Sequence, residues 1–431
     1  MRYKLCVFFC LFSFLFGSCD LFDDHGEKPP PPEKKYKAKI LWTREFFSDD
    51  DFPVPLIEGQ YCYFTATGSR SASRINKIDL ETGKVIWESE RILFTRYDIA
   101  DPQKIGAYVY LATNSGFVLV FDDSNGRLAA TVMLGEDETA AAQAAAITWV
   151  YRERASCITA LNPYLFWGND PGSSASPKGL MRLDSREIDF NKEPDEVQSI
   201  IPELVWSKES RPSVSVNLFS DDGIIFFLTD SDIYNNPRFV SILTAMDAHT
   251  GAIIWERDMT QFRGILPSLV LNGNKIHVID KSNSCYDKNT GDLLYHNKNE
   301  TVATSREIAL YNNFLYYLAN VVNYPYPSEE VELEIVSLNA ETGKKEWQAY
   351  TMYDSVISSP FVNAGKLYIL NDKGLRVYNT QINDRSNFIG VDSFFKKYYC
   401  QCGFIYKDKL FLFVNESGTS EPMYLIAIQC E

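Results

Sequence analysis

The sequence is poor in the residues from which most enzyme sites are built. Histidine occurs only four times in 431 residues. There is no phosphate-binding glycine loop, no nucleophile elbow, and no cysteine or histidine spacing that suits zinc. The acidic and amide residues at 230–236 lack the glycine and the distal glutamate of a calcium loop. The sequence therefore predicts a protein without a catalytic centre, a metal or a cofactor.

Positive charge is also scarce. The chain has 42 Lys and Arg against 57 Asp and Glu, a formal net charge of −15. Nucleic acids and anionic membranes are bound by basic surfaces. The charge balance therefore argues against a nucleic-acid partner and against electrostatic adhesion to a membrane.

Long hydrophobic runs are absent except at the N-terminus. There Arg2 and Lys4 precede an apolar stretch at 5–16, and Gly17, Ser18 and Cys19 follow it. Twelve apolar residues are too few to span a bilayer, so residues 1–18 are predicted to be a signal peptide. Small residues before a cysteine favour cleavage there and acylation of Cys19, which would anchor the chain to a membrane. An ordinary secreted protein cut nearby is the alternative.

A polar segment follows this cysteine. Residues 19–36 include four consecutive prolines at 29–32, and they predict an extended tether of roughly 50 Å at about 3.1 Å per residue. The folded domain is predicted to cover residues 37–431. Of the nine cysteines, six would remain as thiols in this domain after cleavage and acylation. Cys400 and Cys402 lie too close on one strand for ordinary disulfide geometry, so buried thiols are predicted.

A repeated turn is the most abundant pattern. An acidic or amide residue is followed after three positions by Thr, then by Gly, and four residues later by Trp or Tyr; the copies are at 79–87, 247–255, 287–295 and 339–347, with a looser one at 122–126. Each copy separates two short apolar strands, which predicts a β-hairpin. Several copies along one chain indicate a repeat architecture.

Counting four strands per repeat gives units that start near residues 54, 98, 155, 212, 264, 302, 356 and 399. The third and seventh units lack the Thr-Gly turn, and the last unit is one strand short. Residues 39–45 can supply that strand. The sequence therefore predicts an all-β fold: an eight-bladed β-propeller with four-stranded blades, whose ring is closed by an N-terminal strand.

Five of the seven tryptophans, at 42, 87, 206, 255 and 347, fall at one position of the outer strand. A large flat side chain at that position is expected to pack against the neighbouring blade.

These repeats resemble a known family. The run Ile-Asp-Leu-Glu-Thr-Gly-Lys-Val-Ile-Trp at 78–87 is similar to the tryptophan-docking repeat of pyrroloquinoline-quinone-type (PQQ-like) propellers, and 245–255 and 338–347 match it again. Within that superfamily, an acylated eight-bladed propeller resembles the BamB family of the outer-membrane β-barrel assembly machine. The resemblance implies a non-enzymatic scaffold at the periplasmic face of the outer membrane, with the barrel-assembly machinery as its partner. Quinone-dependent dehydrogenases share the repeats but typically carry a vicinal cysteine pair near the quinone, and this sequence has none.

Longer insertions indicate where a partner would bind. Those at 68–73, 169–178, 230–238, 322–330 and 416–422 each join the second predicted strand of a unit to the third. This places them on one face of the ring. The Thr-Gly turns lie on the opposite face, and that face is expected to stay short and regular. Binding loops commonly stand on a rigid scaffold in this way. The expected anchors are aromatic and basic residues in or beside the loops, although each could instead pack locally: Trp167, Tyr234, Arg238, Tyr324 and Tyr326.

The favoured hypothesis is thus a lipid-anchored, non-enzymatic protein-interaction scaffold in the bacterial cell envelope. The alternative is an envelope lipoprotein that binds a carbohydrate or a host ligand. A quinone-dependent oxidoreductase is the third hypothesis, and the absence of the cysteine pair disfavours it.

Overall fold

The computed structural model describes residues 35–46, 55–68, 72–93, 101–113, 116–136, 158–169, 179–207, 219–228, 242–259, 268–279, 282–298, 301–303, 308–321, 333–351, 358–371, 373–380, 388–416 and 422–430. All of these residues except Lys35 belong to a compact unit that runs from Tyr36 to Glu431. The predicted signal peptide, Cys19 and most of the predicted tether lie outside the described residues.

Eight antiparallel sheets form the blades of a propeller ring, which confirms the predicted fold. The chain enters through β1 (Lys39–Phe46) and then builds blades one to four: β2 (Leu56–Glu58), β3 (Tyr61–Gly68), β4 (Ala72–Asp79), β5 (Val85–Glu88) and β6 (Ile92–Leu93); β7 (Gln103–Ile105), β8 (Tyr108–Ala112), β9 (Phe117–Asp122) and β10 (Leu128–Met133); β11 (Ile158–Leu161), β12 (Tyr164–Asn169), β13 (Gly179–Asp184), β14 (Gln198–Ser199) and β15 (Glu203–Ser207); β16 (Phe219–Asp221), β17 (Ile224–Leu228), β18 (Ile242–Asp247) and β19 (Ile253–Asp258).

Blades five to eight follow in the same order: β20 (Ser268–Asn272), β21 (Lys275–Ile279), β22 (Ser282–Asp287) and β23 (Leu293–Lys298); β24 (Thr301–Ala303), β25 (Ala309–Tyr311), β26 (Phe314–Val321), β27 (Leu333–Asn339) and β28 (Lys345–Thr351); β29 (Phe361–Asn363), β30 (Lys366–Asn371), β31 (Gly374–Asn379) and β32 (Phe388–Asp392); β33 (Tyr398–Tyr406), β34 (Lys409–Glu416) and β35 (Met423–Gln429). Two short 3-10 helices, Ser185–Glu187 and Ser393–Lys397, are the helical segments of the described residues.

The ring closes as predicted. β1 pairs antiparallel with β35, with Lys39 opposite Gln429 and Phe46 opposite Met423, and so becomes the outer strand of blade eight. One blade is thereby built from both ends of the domain. This leaves no blade with an incomplete set of four strands, which limits the exposed sheet edges.

The core lies between the blades. Side chains alternate along each strand, so in β8 Val109 and Leu111 pack toward blade one while Tyr110 and Ala112 pack toward blade three. Buried residues of the described chain form eight clusters, one at each boundary between neighbouring blades. Strands buried on both faces explain why the inner and middle strands are almost continuously apolar.

Every outer strand carries a β-bulge just before the docking position. In blade one, for example, Val85 is opposite Ile78 and Trp87 is opposite Lys77, so Ile86 is the extra residue. The same register shift occurs in the outer strands of the other seven blades. The bulge turns the next side chain back toward the sheet face and increases the local twist of the edge.

Five cysteines lie in the described residues, and all five are free thiols, as predicted: Cys62, Cys285, Cys400, Cys402 and Cys430. A register shift in β33 separates Cys400 from Cys402. Cys400 packs in the cluster between blades seven and eight, whereas Cys402 packs against the one between blades eight and one. The two thiols therefore face opposite sides of their blade.

Candidate protein-interaction face

The two faces of the ring differ because antiparallel strands return the chain to the same side at every second connection. The turns between first and second strands, and between third and fourth strands, lie on one side, here called the turn face. The junctions between second and third strands, and the connections from blade to blade, lie on the other side, here called the loop face. In chain order, all five predicted insertions fall between the second and third strands of a blade, and the ends of these strands lie on the loop face; most residues of the insertions lie outside the described residues.

The repeated turns of the turn face are closed by internal hydrogen bonds. In blade four, the Asp247 carboxylate accepts the backbone N–H of Thr250 at 2.7 Å and its hydroxyl at 2.8 Å. These bonds lower the pKa of Asp247, because they favour the charged carboxylate. Gly251 follows with φ of 70°, which glycine adopts without strain. The Asp and Thr side chains of this motif are thus occupied within the turn itself.

Four of the described turns also receive an aromatic side chain from the preceding blade. The rings of Trp42, Trp87 and Trp255 lie against the turn glycines of blades one, two and five, and Tyr295 takes this role against blade six. This confirms the predicted packing between blades for Trp42, Trp87 and Trp255, whereas the side chain of Trp347 lies outside the described part of the chain. Trp206 is an exception, because Val205 rather than the indole lies nearest Gly251, and Trp206 packs edge-on against Phe227 at 5.0 Å.

Blade three departs from the expectation that the turn face stays short and regular. Residues 185–202 form a strap between its third and fourth strands, and the strap reaches back to blade two. There β14 pairs in parallel with β10, and the rings of Phe190 and Tyr108 stack at 4.1 Å. The strap therefore gives blade two a fifth strand.

The structure describes only one of the five anchors predicted from the sequence. Trp167 is only 1% exposed, because it lies in the core cluster between blades two and three, with Ile158 as its neighbour across the strand pair. An indole buried in this way is not available to a partner, so the expectation for Trp167 is corrected. Tyr234, Arg238, Tyr324 and Tyr326 lie outside the described residues, and their assignment stays a prediction.

The structure places an exposed aromatic patch on the loop face where blade seven connects to blade eight. The 3-10 helix Ser393–Lys397 makes this connection, and it is anchored by Phe395, which is fully buried. The Asp392 carboxylate caps the helix by accepting the Phe394 N–H at 3.0 Å and also accepts the Ala38 N–H at 2.8 Å. Phe394 is consequently held 47% exposed, and Tyr399 on the adjoining strand is 44% exposed.

Lysine completes this patch. The Lys397 ammonium lies 4.6 Å from the Tyr398 ring centroid and 5.7 Å from that of Phe394, and it pairs with Glu416 at 2.7 Å. The hydrogen bond to Glu416 raises the pKa of Lys397, so it stays charged at neutral pH. An exposed aromatic ring beside a fixed cation, with a second exposed ring on the adjoining strand, is a composition typical of an interface hot spot. We call Phe394, Lys397 and Tyr399 the aromatic patch.

The aromatic patch was not predicted from the sequence, because it lies in a connection of ordinary length. The signal was the run Phe394-Phe395-Lys396-Lys397-Tyr398-Tyr399, in which each residue type is doubled. In a strand or a short helix, one member of each apolar pair faces outward. The doubled pairs therefore contain the exposed residues, but the sequence does not show which member of each pair is exposed.

The described residues contain no group of three or more His, Cys, Asp or Glu side chains arranged to hold a metal ion. No helix in the described part of the chain is long and apolar enough to cross a membrane.

Comparison with known proteins supports the resemblance. A family model described as the outer membrane protein assembly factor BamB matches residues 239–384, from just before the third strand of blade four to beyond the third strand of blade seven. A search of curated proteins finds no significant match to this sequence.

Solved propellers share the architecture at low identity. BamB from Moraxella catarrhalis is 12% identical with a TM-score of 0.56, over 91% of this chain and 98% of that one. The quinohemoprotein alcohol dehydrogenase from Comamonas testosteroni is 10% identical with a TM-score of 0.59, over 91% and 76% of the two chains. The computationally designed Ika8 protein is 10% identical with a TM-score of 0.56, over 92% and 100%. Likeness at such identities establishes the fold, and function must be argued from sites.

Proposed function

We propose that this protein is a non-enzymatic protein-interaction scaffold of the BamB type, which docks a partner on its loop face. The observation that carries the proposal is the aromatic patch, where buried Phe395 and the Asp392 cap hold Phe394 outward on a short connection, and Tyr399 is exposed on the adjoining strand. Preformed exposed rings lose little entropy on binding. The match of residues 239–384 to the BamB model supports an assembly role, with the barrel-assembly machinery as the proposed partner.

The proposed setting is the bacterial cell envelope. We propose acylation of Cys19, a tether over residues 19–36, and a location at the periplasmic face of the outer membrane. The acidic net charge supports attachment through an acyl chain rather than through the protein surface. Mass spectrometry of the N-terminal peptide tests this part, because a Cys19→Ser variant must lose the acyl mass. Protease treatment of intact cells tests the location, since cleavage from outside is expected only for the alternative that binds a carbohydrate or host ligand at the surface.

The docking proposal is tested by co-purification with the purified barrel-assembly machinery. A Phe394→Ala/Tyr399→Ala variant is expected to reduce retention at least tenfold, because truncating two hot-spot rings commonly costs more than 1 kcal/mol each. A Val197→Ala/Ile201→Ala variant is the control, since these exposed apolar residues lie on the strap at the turn face. A Tyr324→Ala/Tyr326→Ala variant tests the predicted loop anchors separately. Undiminished retention of the Phe394/Tyr399 variant would remove the aromatic patch from the interface.

A quinone-dependent oxidoreductase is the second candidate, because quinohemoprotein alcohol dehydrogenases share this architecture. The residues do not fit the expectation for that class, since the sequence has no vicinal cysteine pair. Addition of pyrroloquinoline quinone to the purified chain tests it: a shift in the absorbance spectrum of the quinone supports a cofactor site, and an unchanged spectrum removes this candidate.

A further inference from the structure

One buried carboxylate connects the beginning of the propeller domain with the aromatic patch. Asp392 ends β32 and is only 8% exposed. Its Oδ1 accepts the Phe394 N–H at 3.0 Å, and its Oδ2 accepts the Ala38 N–H at 2.8 Å. Ala38 and Asp392 are 354 residues apart in the chain. A single side chain therefore joins the segment that leads into β1 to the helix that carries Phe394.

Residues 36–38, here called the entry segment, lie on blade seven before the chain enters β1. The Tyr36 N–H donates to the Val391 carbonyl of β32 at 2.9 Å. Ala38 is buried in the cluster between blades seven and eight, and Tyr36 packs against that cluster. Phe395, the buried anchor of the 3-10 helix, belongs to the same cluster. The entry segment and the helix therefore share apolar packing as well as the Asp392 carboxylate.

The 3-10 helix depends on these contacts because it is short. It has five residues, Ser393–Lys397, and one backbone bond at its end, from the Tyr398 N–H to the Phe395 carbonyl. So few internal bonds do not offset the entropy of ordering the chain. Asp392 fixes the first turn, and Phe395 fixes the middle. The outward position of Phe394 is therefore determined by groups outside the helix.

The two hydrogen bonds of Asp392 depend on each other. Two backbone donors, one on each oxygen, fix the rotation of the carboxylate. Without the Ala38 donor, Oδ2 would lose its hydrogen bond in a buried position, which costs free energy, and the side chain would turn to recover a partner. Both oxygens turn together, so the bond to the Phe394 N–H would be lost as well.

We propose that docking of the entry segment controls the aromatic patch. When the segment lies on blade seven, Asp392 holds Phe394 in the position that contacts a partner protein, and release of the segment frees the ring. The inference rests on the proposed docking function and adds its regulation. Because the proposed tether ends at Tyr36, attachment of the domain and binding of the partner depend on one side chain. By linkage, a bound partner also strengthens docking of the entry segment.

Ala38→Pro in the full chain tests the coupling, because it removes the N–H and keeps an apolar side chain. Hydrogen–deuterium exchange of peptides covering residues 393–399 is expected to become about tenfold faster, since the helix opens locally. Peptides covering β35 are expected to exchange as in the parent protein, because β1 remains paired with β35. Lys37→Pro is the matched control, since it keeps the Ala38 N–H, and it is expected to leave exchange at 393–399 unchanged.

A double-mutant cycle tests the role of Asp392 as the positioning residue. Asp392→Ala is expected to accelerate exchange at residues 393–399, and adding Ala38→Pro is expected to accelerate it no further, because both changes remove the same link. Unchanged exchange in Ala38→Pro, an equal acceleration in β35, or additive effects in the double variant would each overturn the coupling.

Co-purification with the barrel-assembly machinery separates this inference from the function on which it rests. Ala38→Pro is expected to reduce retention, but by less than Phe394→Ala/Tyr399→Ala, because the rings are still present. In the complex, exchange at the entry segment is expected to slow. If Phe394→Ala/Tyr399→Ala loses retention while Ala38→Pro is retained like the parent, the regulation is wrong and the docking function stands. If Phe394→Ala/Tyr399→Ala is itself retained like the parent, docking on the aromatic patch is wrong, and regulation of it fails as well.

Discussion

The indole Nε1 of Trp255 donates a hydrogen bond to the backbone carbonyl of Lys288 at 2.9 Å, across the boundary between blades four and five. Trp87 repeats this contact across the boundary between blades one and two, with the Asp123 carbonyl at 2.7 Å. The repeated turn therefore supplies the acceptor of a contact between two blades, and the tryptophan of the preceding blade supplies the donor. We call this contact the joint. Because one side chain supplies both apolar contact and a donor, each of these two joints fixes the rotation of one blade relative to the next.

The first prediction concerns the glycine of this joint. A Cβ at Gly291 would lie 2.6 Å from the Trp255 ring, and φ there is 70°. Gly291→Ala is expected to destabilise the protein by about 2–4 kcal/mol, from backbone strain together with overpacking. Thermal unfolding followed by circular dichroism measures the change.

Gly273→Ala is the matched control for this substitution. Gly273 has φ of 57°, and a Cβ there would meet nothing within 4 Å. Only the backbone term of about 1–2 kcal/mol is expected. Equal destabilisation by the two substitutions would mean that contact between indole and turn contributes nothing.

The second prediction concerns the buried cation between blades one and two. The Lys77 ammonium donates to the Asp123 carboxylate at 2.7 Å and to the Asp123 carbonyl at 3.0 Å, and it lies 4.5 Å from the Tyr61 ring centroid. Burial alone would raise the pKa of Asp123, but hydrogen bonds from Lys77 and Tyr63 outweigh it and lower the pKa. Lys77→Met leaves this carboxylate without its main partner and is expected to cost about 3 kcal/mol in urea unfolding.

Lys192→Met provides the comparison for Lys77. Lys192 pairs with Glu196 at 2.9 Å, but both side chains are largely exposed to solvent. Little change in the midpoint of urea unfolding is expected, because exposed ion pairs contribute little. If the two methionine variants unfold at the same urea concentration, burial does not strengthen the Lys77 pair.

The repeated turns and the count of short apolar strands were sufficient to predict the blade count, and the strand missing from the last unit indicated the closing strand. Asp, Thr and Gly within five residues specify a hairpin, and repeated hairpins specify a ring. The packing contact of Trp206 was not predictable in the same way. Its position in the strand matches that of Trp255, but Val205 occupies the place next to Gly251. Such a contact depends on side chains that are far apart in sequence.

The candidate surfaces were less predictable than the fold. Trp167 stands beside a long insertion, and only the cross-strand pairing with Ile158 reveals that it points into the core. The side chains of Ile254 and Leu294 are almost half exposed. In the sequence they look like ordinary strand residues, because the β-bulge at each position has no sequence signature here. Exposure therefore had to be taken from three-dimensional packing, which single-sequence periodicity cannot resolve at a bulge.

The last prediction concerns the joint between blades five and six, where Tyr295 replaces tryptophan. The Tyr295 hydroxyl donates to the Ala340 carbonyl at 3.3 Å and lies 3.0 Å from Nδ1 of His277. His277 is completely buried, and burial, assisted by the charge of Lys275, lowers its pKa to about 4. The imidazole is therefore neutral in the folded protein at neutral pH.

This pKa has a defined consequence for stability. Between pH 6.5 and about 4 the unfolded chain binds a proton at this histidine and the folded chain does not, so stability falls as the pH falls through that window. The loss approaches about 3 kcal/mol at pH 4, at about 1.4 kcal/mol per pKa unit. His277→Gln is expected to lack this component, and urea unfolding at pH 7 and pH 4.5 measures the difference. His249→Gln, which removes a histidine from an exposed turn, is the matched control. If the parent and the His277 variant lose the same free energy of unfolding on acidification, the histidine in this joint is not the group that titrates.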